Sequence, residues 1–583
     1  MKVSAAIAEI LAREGIDVIF GYPRNAVLEQ AAAIGIRPII VRQERTGVHM
    51  ADALSRLTRG RRMGVFAMQH GPGTENAYGG VAQAYSESVP VLVLPQGYAR
   101  RLAHVPDNYN ASISMRDITK TCEPILRAED TSAILRRAFS ALRNGRLRPA
   151  LVEMPWDVLD EELFEPLDYT PVVTTRSAPD PEAIARVADR LVAARRLVIH
   201  AGQGVHWAEA YAELRMLAEL LAAPVSTSLE GKSAFDETHP LALGSGGAAI
   251  PGQLRHFLDR ADLILGIGCS LSETAFGVAM PAGAAIVHAT LDPADINKSV
   301  PCIDALIGDA KLTLAMLVAA CRDRLNGRRD PGPVAREIDE VEAEWLTQWL
   351  PLLESDDTPL SPYRVLWDLQ RTVDVANTII THDAGSPRDQ LSPFWKTRSP
   401  LSYIGWGKTT QLGYGLGLAM GAKLACPDKL CINVWGDAAI GFTGMDFETA
   451  ARERLPTCPS CSTIRPWRSN CRSCLSPPSA SAPPTFRGIT PISRGHWEDM
   501  ASVSPRPTRS SPPSGAGSRR PKPASRHCSN SSPHRKHGHR AYEQFRRYPP
   551  LAVVGDLAAI RPDAGVRVEL SRPFAARPGA SRD

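Results

Sequence analysis

Between residues 1 and 456, short, continuously apolar runs alternate with stretches of 3.6-residue periodicity. That alternation constrains the fold more than any other feature. The runs "DVIFGY", "PIIVRQ", "MGVFAMQ", "VPVLVLPQ" and "PALVEMP" in residues 17–155 have no polar face, so each strand must be covered on both sides. Parallel strands joined by crossover helices meet that requirement. The expected class is therefore α/β, with three consecutive doubly wound parallel sheets. A first domain spans 1–165, followed by a Pro- and Thr-rich linker at 166–182. The alternation restarts with "RLVIHAGQG", "APVSTSL", "ADLILGIGC" and "AAIVHATLDP", placing a second domain at 180–325. After a charged helical connector near 334–350, a third at 355–456 carries "TIITHDAG", "LSYIGWG" and "LCINVWGDAA". Three or four domains suit 583 residues.

The pattern stops at Pro456. Residues 457–583 form an Arg-, Ser- and Pro-rich tail, with neither apolar periodicity nor a plausible strand as far as about 550, and much of the formal charge of +5 lies there. No run of about 18 apolar residues marks a membrane span, and Met1 leads into an amphipathic helix with no secretory h-region. Cys122, Cys269, Cys302, Cys321, Cys426 and Cys431 show no paired spacing. These features predict a reduced, cytoplasmic protein. In the tail, Cys458, Cys461, Cys471 and Cys474 form two Cys-x-x-Cys pairs that could close a tetrahedral zinc site. A basic tail carrying "HRKHGHR" (534–540) would attract phosphate without specificity.

Chemistry concentrates at strand ends, where open α/β sheets bind ligands. Glu44, in "VRQERTGVHMADALSR", directly follows a predicted strand. The next loop places Gly71, Pro72 and Gly73 before a helix expected to begin near Asn76, and its free amides could approach a ligand. In the third domain, Gly436 and Asp437 end a strand, a position suited to a carboxylate beside a metal–diphosphate. Singly, each feature also fits a solvated carboxylate or an ordinary turn.

As an ordered set, "FGYP", "VRQERTGVHMADALSR", "GPGTENAYGGVAQAYSESVPVLVL", "TTQLGYGLGLAMGAKLA" and "WGDAAIGFTGMDFETA" resemble thiamine diphosphate enzymes of the acetolactate synthase type. The resemblance covers 1–456 and implies a pyrimidine-binding, a central and a diphosphate-binding domain. It implies thiamine diphosphate and Mg²⁺ as cofactors, a 2-keto acid such as pyruvate as substrate, and decarboxylation or carboligation as the reaction. Glu44 would hydrogen-bond the aminopyrimidine ring. Pro23, Gly71, Gly73, Asn76, Leu412, Gly436, Asp437 and Ala438 would line the cofactor, with Leu412 wedged beneath it and Asp437 on the metal. In this family sites form between subunits, which implies a homodimer or homotetramer, with no specific nucleic acid or membrane partner. "HAGQG" (200–204) and "GIGCSLSE" (266–273) admit two readings, an FAD cradle or empty βα turns. A simple 2-keto acid decarboxylase and a thiamine-fold remnant without activity are the alternatives to a synthase.

Several residues depart from the family pattern. Arg24, Asn25 and Ala438 stand where glycines are usual, and the Gln or His expected against the substrate near 110–120 is not evident, which leaves substrate choice open. The largest departure follows Pro456. The family continues into an apolar strand ending in two asparagines, the first a metal ligand, and here "TCPSCSTIRPW" appears instead. Regrouping the codons allowed for Thr457 to Asn470 by one base gives a reading compatible with L-P-I-V-L-N-N-x-S-M-A-I-E. A frame slip near 456–457 therefore explains the tail, and a zinc- or nucleic-acid-binding tail is left as the remote alternative, since four spaced thiols can ligate a metal whatever their origin.

Overall fold

A computed structural model describes residues 1–463 except 165, 248, 275 and 410, together with 552–553; for 458–463 and 552–553 only the backbone is described. All belong to one unit comprising 1–476 and 533–553. Cys471, Cys474 and the "HRKHGHR" stretch lie outside the described residues.

Helix α1 (Val3–Arg13) buries its apolar face and leads into the first sheet. That sheet contains β1 (Val18–Gly21), β2 (Arg37–Ile40), β3 (Gly64–Met68), β4 (Val91–Gly97), β5 (Thr121–Pro124) and β6 (Ala150–Pro155), all parallel, in the order β2-β1-β3-β4-β6-β5. Every residue of β1, β3 and β6 is buried, as expected for strands covered by helices on both faces. The chain winds one way from β1 to β2 and the other way from β1 to β3. The carboxyl end of β1 is thus a topological switch point.

The second sheet repeats the plan with β7 (Leu197–Ala201), β8 (Val225–Thr227), β9 (Ala242–Ser245), β10 (Leu263–Ile267), β11 (Ala285–Thr290) and β12 (Asp304–Ile307), in the parallel order β12-β11-β10-β7-β8-β9. Its switch point lies between β7 and β10. The third sheet is β14-β13-β15-β16-β17, from β13 (Thr378–His382), β14 (Tyr403–Ile404), β15 (Leu430–Gly436), β16 (Cys458–Thr463) and β17 (Ala552–Val553). Its first three pairings are parallel and its last antiparallel. The switch here lies between β13 and β15.

The expectation that no strand follows Pro456 is corrected: β16 pairs with β15 in register from Ile432↔Cys458 to Gly436↔Ser462. A parallel edge recruits extended main chain through its free N–H and C=O groups, and this pairing does not depend on side-chain hydrophobicity. A second correction concerns the helix after Gly71. It starts at Pro72, not near Asn76, because proline's fixed φ and missing N–H suit a first helical position. The 166–182 segment has no regular structure before α4 (Pro181–Ala193) starts. It is nevertheless tied down: the Tyr169 hydroxyl and the Val172 N–H both donate to Glu14.

The first and third sheets share packing. Val48, Met50, Ala51 and Leu54 belong to one apolar cluster with Leu416, Met420 and Trp435. The contact is made by two helices, α2 (Glu44–Leu57) and α5 (Tyr414–Ala425). At their closest approach α5 presents Gly417 and Gly421. A methyl group on Gly421 would lie 2.5 Å from the Met50 carbonyl oxygen, and one on Gly417 would lie 2.6 Å from His49 Cβ. Only glycine permits this spacing.

Candidate active site

Glu44 is the first residue of α2, beyond the carboxyl end of β2, and its residue surface is 3% exposed. Burial raises its carboxyl pKa; Asp446 adds to the rise, and a hydrogen bond with the Asn76 side chain opposes it. Asn76 lies on the neighbouring helix α3 (Pro72–Ser86) and is exposed. A buried carboxyl inclined to hold its proton can donate to a ring nitrogen, the service an aminopyrimidine requires. Gly71 caps α3 with φ of 57°, and its carbonyl accepts from the Tyr109 hydroxyl at 2.8 Å. Gly73 is buried in the first turn, and Pro23 is exposed just past β1. These positions, from three adjacent strand ends, face one switch point.

Two of the departures noted in the sequence have structural accounts. Arg24 adopts φ of 72°, the left-handed conformation that glycine takes without strain. The Asn25 side chain donates to the carbonyls of Met68 and Leu94, both at 2.9 Å, and accepts from Val27 N at 3.1 Å. It therefore joins the end of β3 and the middle of β4 to the helix that it caps. Ala438 N donates to Asp437 Oδ1 at 2.9 Å, so the third departure sits within the turn itself.

In the third sheet, α6 (Asp437–Thr443) follows β15 directly, with Gly436 as its cap. Asp437 is exposed at its start. Leu412 is half-buried between two apolar clusters. The next residue, Gly413, donates to Asp383 Oδ1 at 2.9 Å and accepts from Thr443 Oγ1 at 2.7 Å. The Leu412 loop is thereby pinned between the β13 end and α6. Among the described residues no hydrogen bond or ion pair joins Glu44 to Asp437 within one chain.

Two carboxylates that the sequence reading missed organise the site. Asp383, fully buried at the end of β13, accepts from the N–H groups of Ala384, Gly413 and Gly415 at 2.9–3.0 Å. Burial outweighs these bonds and pushes its pKa up to about 6. Asp446 accepts from Arg42 N at 2.7 Å and from Thr449 Oγ1 at 2.8 Å, fastening the third domain to the segment that presents Glu44. "THDAG" carried the only sequence hint of Asp383, an acid at a strand end; nothing local marks Asp446.

The residues present fit the two cofactor components unequally. A buried Glu44 and the pinned Leu412 loop suit an aminopyrimidine–thiazolium group. For the metal, Asp437 supplies one carboxylate, and β16, where an asparagine was expected, contains none. No cluster of three or more His, Cys, Asp or Glu suited to a metal occurs among the described residues.

At the second sheet's switch point lies a cavity of about 420 Å³, lined by the ends of β7, β10, β11 and β12 and by Glu230, Gly407 and Lys408. The Gly202 and Gly268 turns press against each other there; a methyl group on Gly202 would meet Gly268 O at 2.5 Å. Loop packing thus accounts for these glycines, while the cavity beside them has the volume of a small-ligand site.

Comparison with known proteins agrees with this geometry. The chain matches the family models for the thiamine pyrophosphate enzyme N-terminal domain over residues 1–119, the central domain over 184–317 and the C-terminal domain over 383–459. It is 31% identical over 483 residues to a probable acetolactate synthase large subunit of Methanocaldococcus jannaschii, covering 78% of this chain and 79% of that protein. It is 29% identical to the acetolactate synthase isozyme 3 large subunit of Escherichia coli, over 77% of this chain and 80% of the relative. A probable 2-ketoarginine decarboxylase of Pseudomonas aeruginosa is also 29% identical, over 78% and 80% of the two chains. Three domain matches in order and a relative above 30% identity, over strand ends that converge on one buried glutamate, place this chain in the family of thiamine pyrophosphate enzymes, with acetolactate synthase large subunits among its relatives.

Proposed function

We propose that the chain is built for thiamine diphosphate-dependent decarboxylation and carboligation of a 2-keto acid, in the manner of acetolactate synthase. The observation that carries this reading is Glu44, a carboxyl buried at a helix start with its pKa raised, on the switch point of the first sheet. Thiamine diphosphate would supply a carbon nucleophile and an electron sink for the carboxylate lost from the keto acid. Glu44 would share a proton with the pyrimidine ring nitrogen and hold the tautomer that acts as base. Leu412, held by Asp383 through Gly413, would support the folded cofactor from below. Pro23, Gly71, Gly73 and Asn76 would line the pyrimidine side, and Gly436, Asp437 and Ala438 the diphosphate side. Asp437 would be the protein's ligand to Mg²⁺. By resemblance to the acetolactate synthases, Glu44 of one copy would face Asp437 of another, which makes the assembly a homodimer or homotetramer; the location read from the sequence is the cytoplasm. A plain 2-keto acid decarboxylase is the second reading, favoured by the probable 2-ketoarginine decarboxylase, which is as identical to this chain as the Escherichia coli synthase is, at 29%.

The cavity in the second domain would take FAD, since it lies on that sheet's switch point and has the volume of a small-ligand site. The end of the family match at residue 459 supports a frame slip after Pro456. A slipped chain would lack the asparagine pair, and little turnover is expected of it. The test is purified full chain with Mg²⁺, thiamine diphosphate and pyruvate, beside a version in which one base restores the reading. Thiamine diphosphate binding by both and pyruvate consumption by the restored form support the proposal. Failure of the restored form to bind the cofactor would sink it. Resequencing codons 450–470 decides whether the slip exists, and elemental analysis of the purified chain for zinc tests the four tail thiols.

A further inference from the structure

Three domains meet at the inner end of the central cavity, and buried charge collects there. From the first domain come Asp52 and Arg56 on α2 and Glu87 at the end of α3; from the second, Glu230; from the third, Lys408. Arg56 is paired with Asp52, its Nε to Oδ1 at 2.9 Å and its Nη2 to Oδ2 at 3.0 Å, and it also donates to Gly405 O at 2.7 Å. Glu87 is fully buried. Its Oε1 accepts only main-chain N–H groups, from Gly407 at 3.3 Å and Lys408 at 3.0 Å, and its Oε2 has no partner. Lys408 Nζ reaches Glu230 Oε1 at 3.3 Å and Ser86 O at 3.4 Å.

Three carboxyl groups share this space with two cations. An unbalanced buried charge is costly, so one carboxyl keeps its proton. Glu87 is that group, because it touches no cation side chain. Burial first, then the Glu230 charge, pushes its pKa up to about 8. Glu230 is held ionised by Lys408 and by hydrogen bonds from its own main chain and Ser228, which outweigh its burial. Arg56 and the Tyr414 hydroxyl face Glu87 from the other side, and His200 and Cys269 face Glu230.

Lys408 is under-used. An ammonium has three N–H donors, and its two contacts lie at the long limit of hydrogen bonding. Its side chain is 20% exposed and lines the cavity. Lys408 also stands four residues before Leu412, in the loop held at one end by Glu87 and at the other by Asp383.

We infer that Lys408 is the receptor for an anionic group of the cavity's ligand, and that Glu230 competes for it and takes up a proton when the ligand arrives. The inference rests on the dinucleotide reading of the cavity. A phosphate-bearing ligand would draw the ammonium from Glu230. The carboxylate, left buried beside Glu87 without a cation, would bind one proton from solvent. Binding would then weaken as pH rises, and the displaced lysine would carry the event into the Leu412 loop.

The test is calorimetric titration of the full chain with FAD and, separately, with ADP, at pH 7 in Bis-Tris and in Tris. These buffers differ in ionisation enthalpy, so the pair of titrations counts protons. Uptake approaching one proton per ligand is expected for the unaltered chain. Glu230→Gln should abolish the uptake and tighten binding severalfold, and Lys408→Met should abolish it and weaken binding tenfold or more. Binding of FAD by the unaltered chain without proton uptake, or uptake that survives in Glu230→Gln, overturns the inference while leaving the cavity reading intact. If neither FAD nor ADP binds, the cavity reading fails and takes this inference with it. If ADP binds as FAD does, with the same proton count, the phosphates engage Lys408; a proton count seen with FAD alone overturns the inference, because the part of FAD beyond ADP carries no anionic group at this pH.

Discussion

The contact between α2 and α5 yields a quantitative prediction. Replacing Gly421 by alanine adds a methyl group 2.5 Å from Met50 O, 2.8 Å from Ala53 Cβ and 2.9 Å from Met50 Cα. The first distance is about 1 Å shorter than the roughly 3.5 Å at which non-bonded atoms begin to attract. Two of the three neighbours are main-chain atoms of a helix, so no rotamer change relieves the overlap. The helices must part, or α5 must rotate. Overpacking of this kind costs about 1–3 kcal/mol. Alanine's better helix propensity returns about 1 kcal/mol. A net destabilisation of about 1–2 kcal/mol is expected, read as a lower urea midpoint at unchanged slope. Because α2 begins at Glu44, parting the helices by a fraction of an ångström also displaces the carboxyl. A loss of up to about a hundredfold in turnover of a reading-restored chain is expected from such a misplacement. The decisive result is the unfolding curve. If Gly421→Ala unfolds at the same or higher urea and binds thiamine diphosphate equally well, the helix contact does not set this spacing.

Other substitutions test other links. Glu44→Gln should reduce pyruvate turnover by at least about a hundredfold in the restored chain. Its thiamine diphosphate affinity, measured by fluorescence quenching, should fall by much less; intact turnover would remove Glu44 from the chemistry. Glu87 has its folded pKa raised from 4.5 to about 8, so the folded state holds a proton that the unfolded chain releases between those values. Stability should therefore fall as pH rises from about 4.5 to about 8 and level off above, by at most on the order of 5 kcal/mol. In Glu87→Gln that part of the slope should vanish, which urea midpoints across this range will show. Asp383→Ala removes the acceptor for three buried N–H groups at the Leu412 loop and should cost about 3 kcal/mol. A midpoint within experimental error of the unaltered chain would show that water replaces the carboxylate.

Much of the architecture was legible locally. "MGVFAMQ" and "PALVEMP" have no solvated face, and a strand with two buried faces sits inside a parallel sheet whatever its partners, so the sequence alone determined the three α/β sheets. The same logic placed Glu44, Gly71 and Asp437 at strand ends, because a polar or glycine residue directly after such a run falls at the carboxyl edge.

The strands that escaped notice, "TCEP", "ALGS" and "DALI", are edge strands of the first two sheets. An edge strand is partly solvated and need not be continuously apolar, so its periodicity is lost. β16 escaped for a related reason, since main-chain pairing to β15 left no apolar trace in its residues. Tertiary structure alone decided that Asp446 bonds to Arg42, some 400 residues away, and that Glu87, Glu230 and Lys408 converge from three domains. Ionisation at these positions depends on which charges are buried together, and that is a property of how the domains pack, which no window of sequence contains.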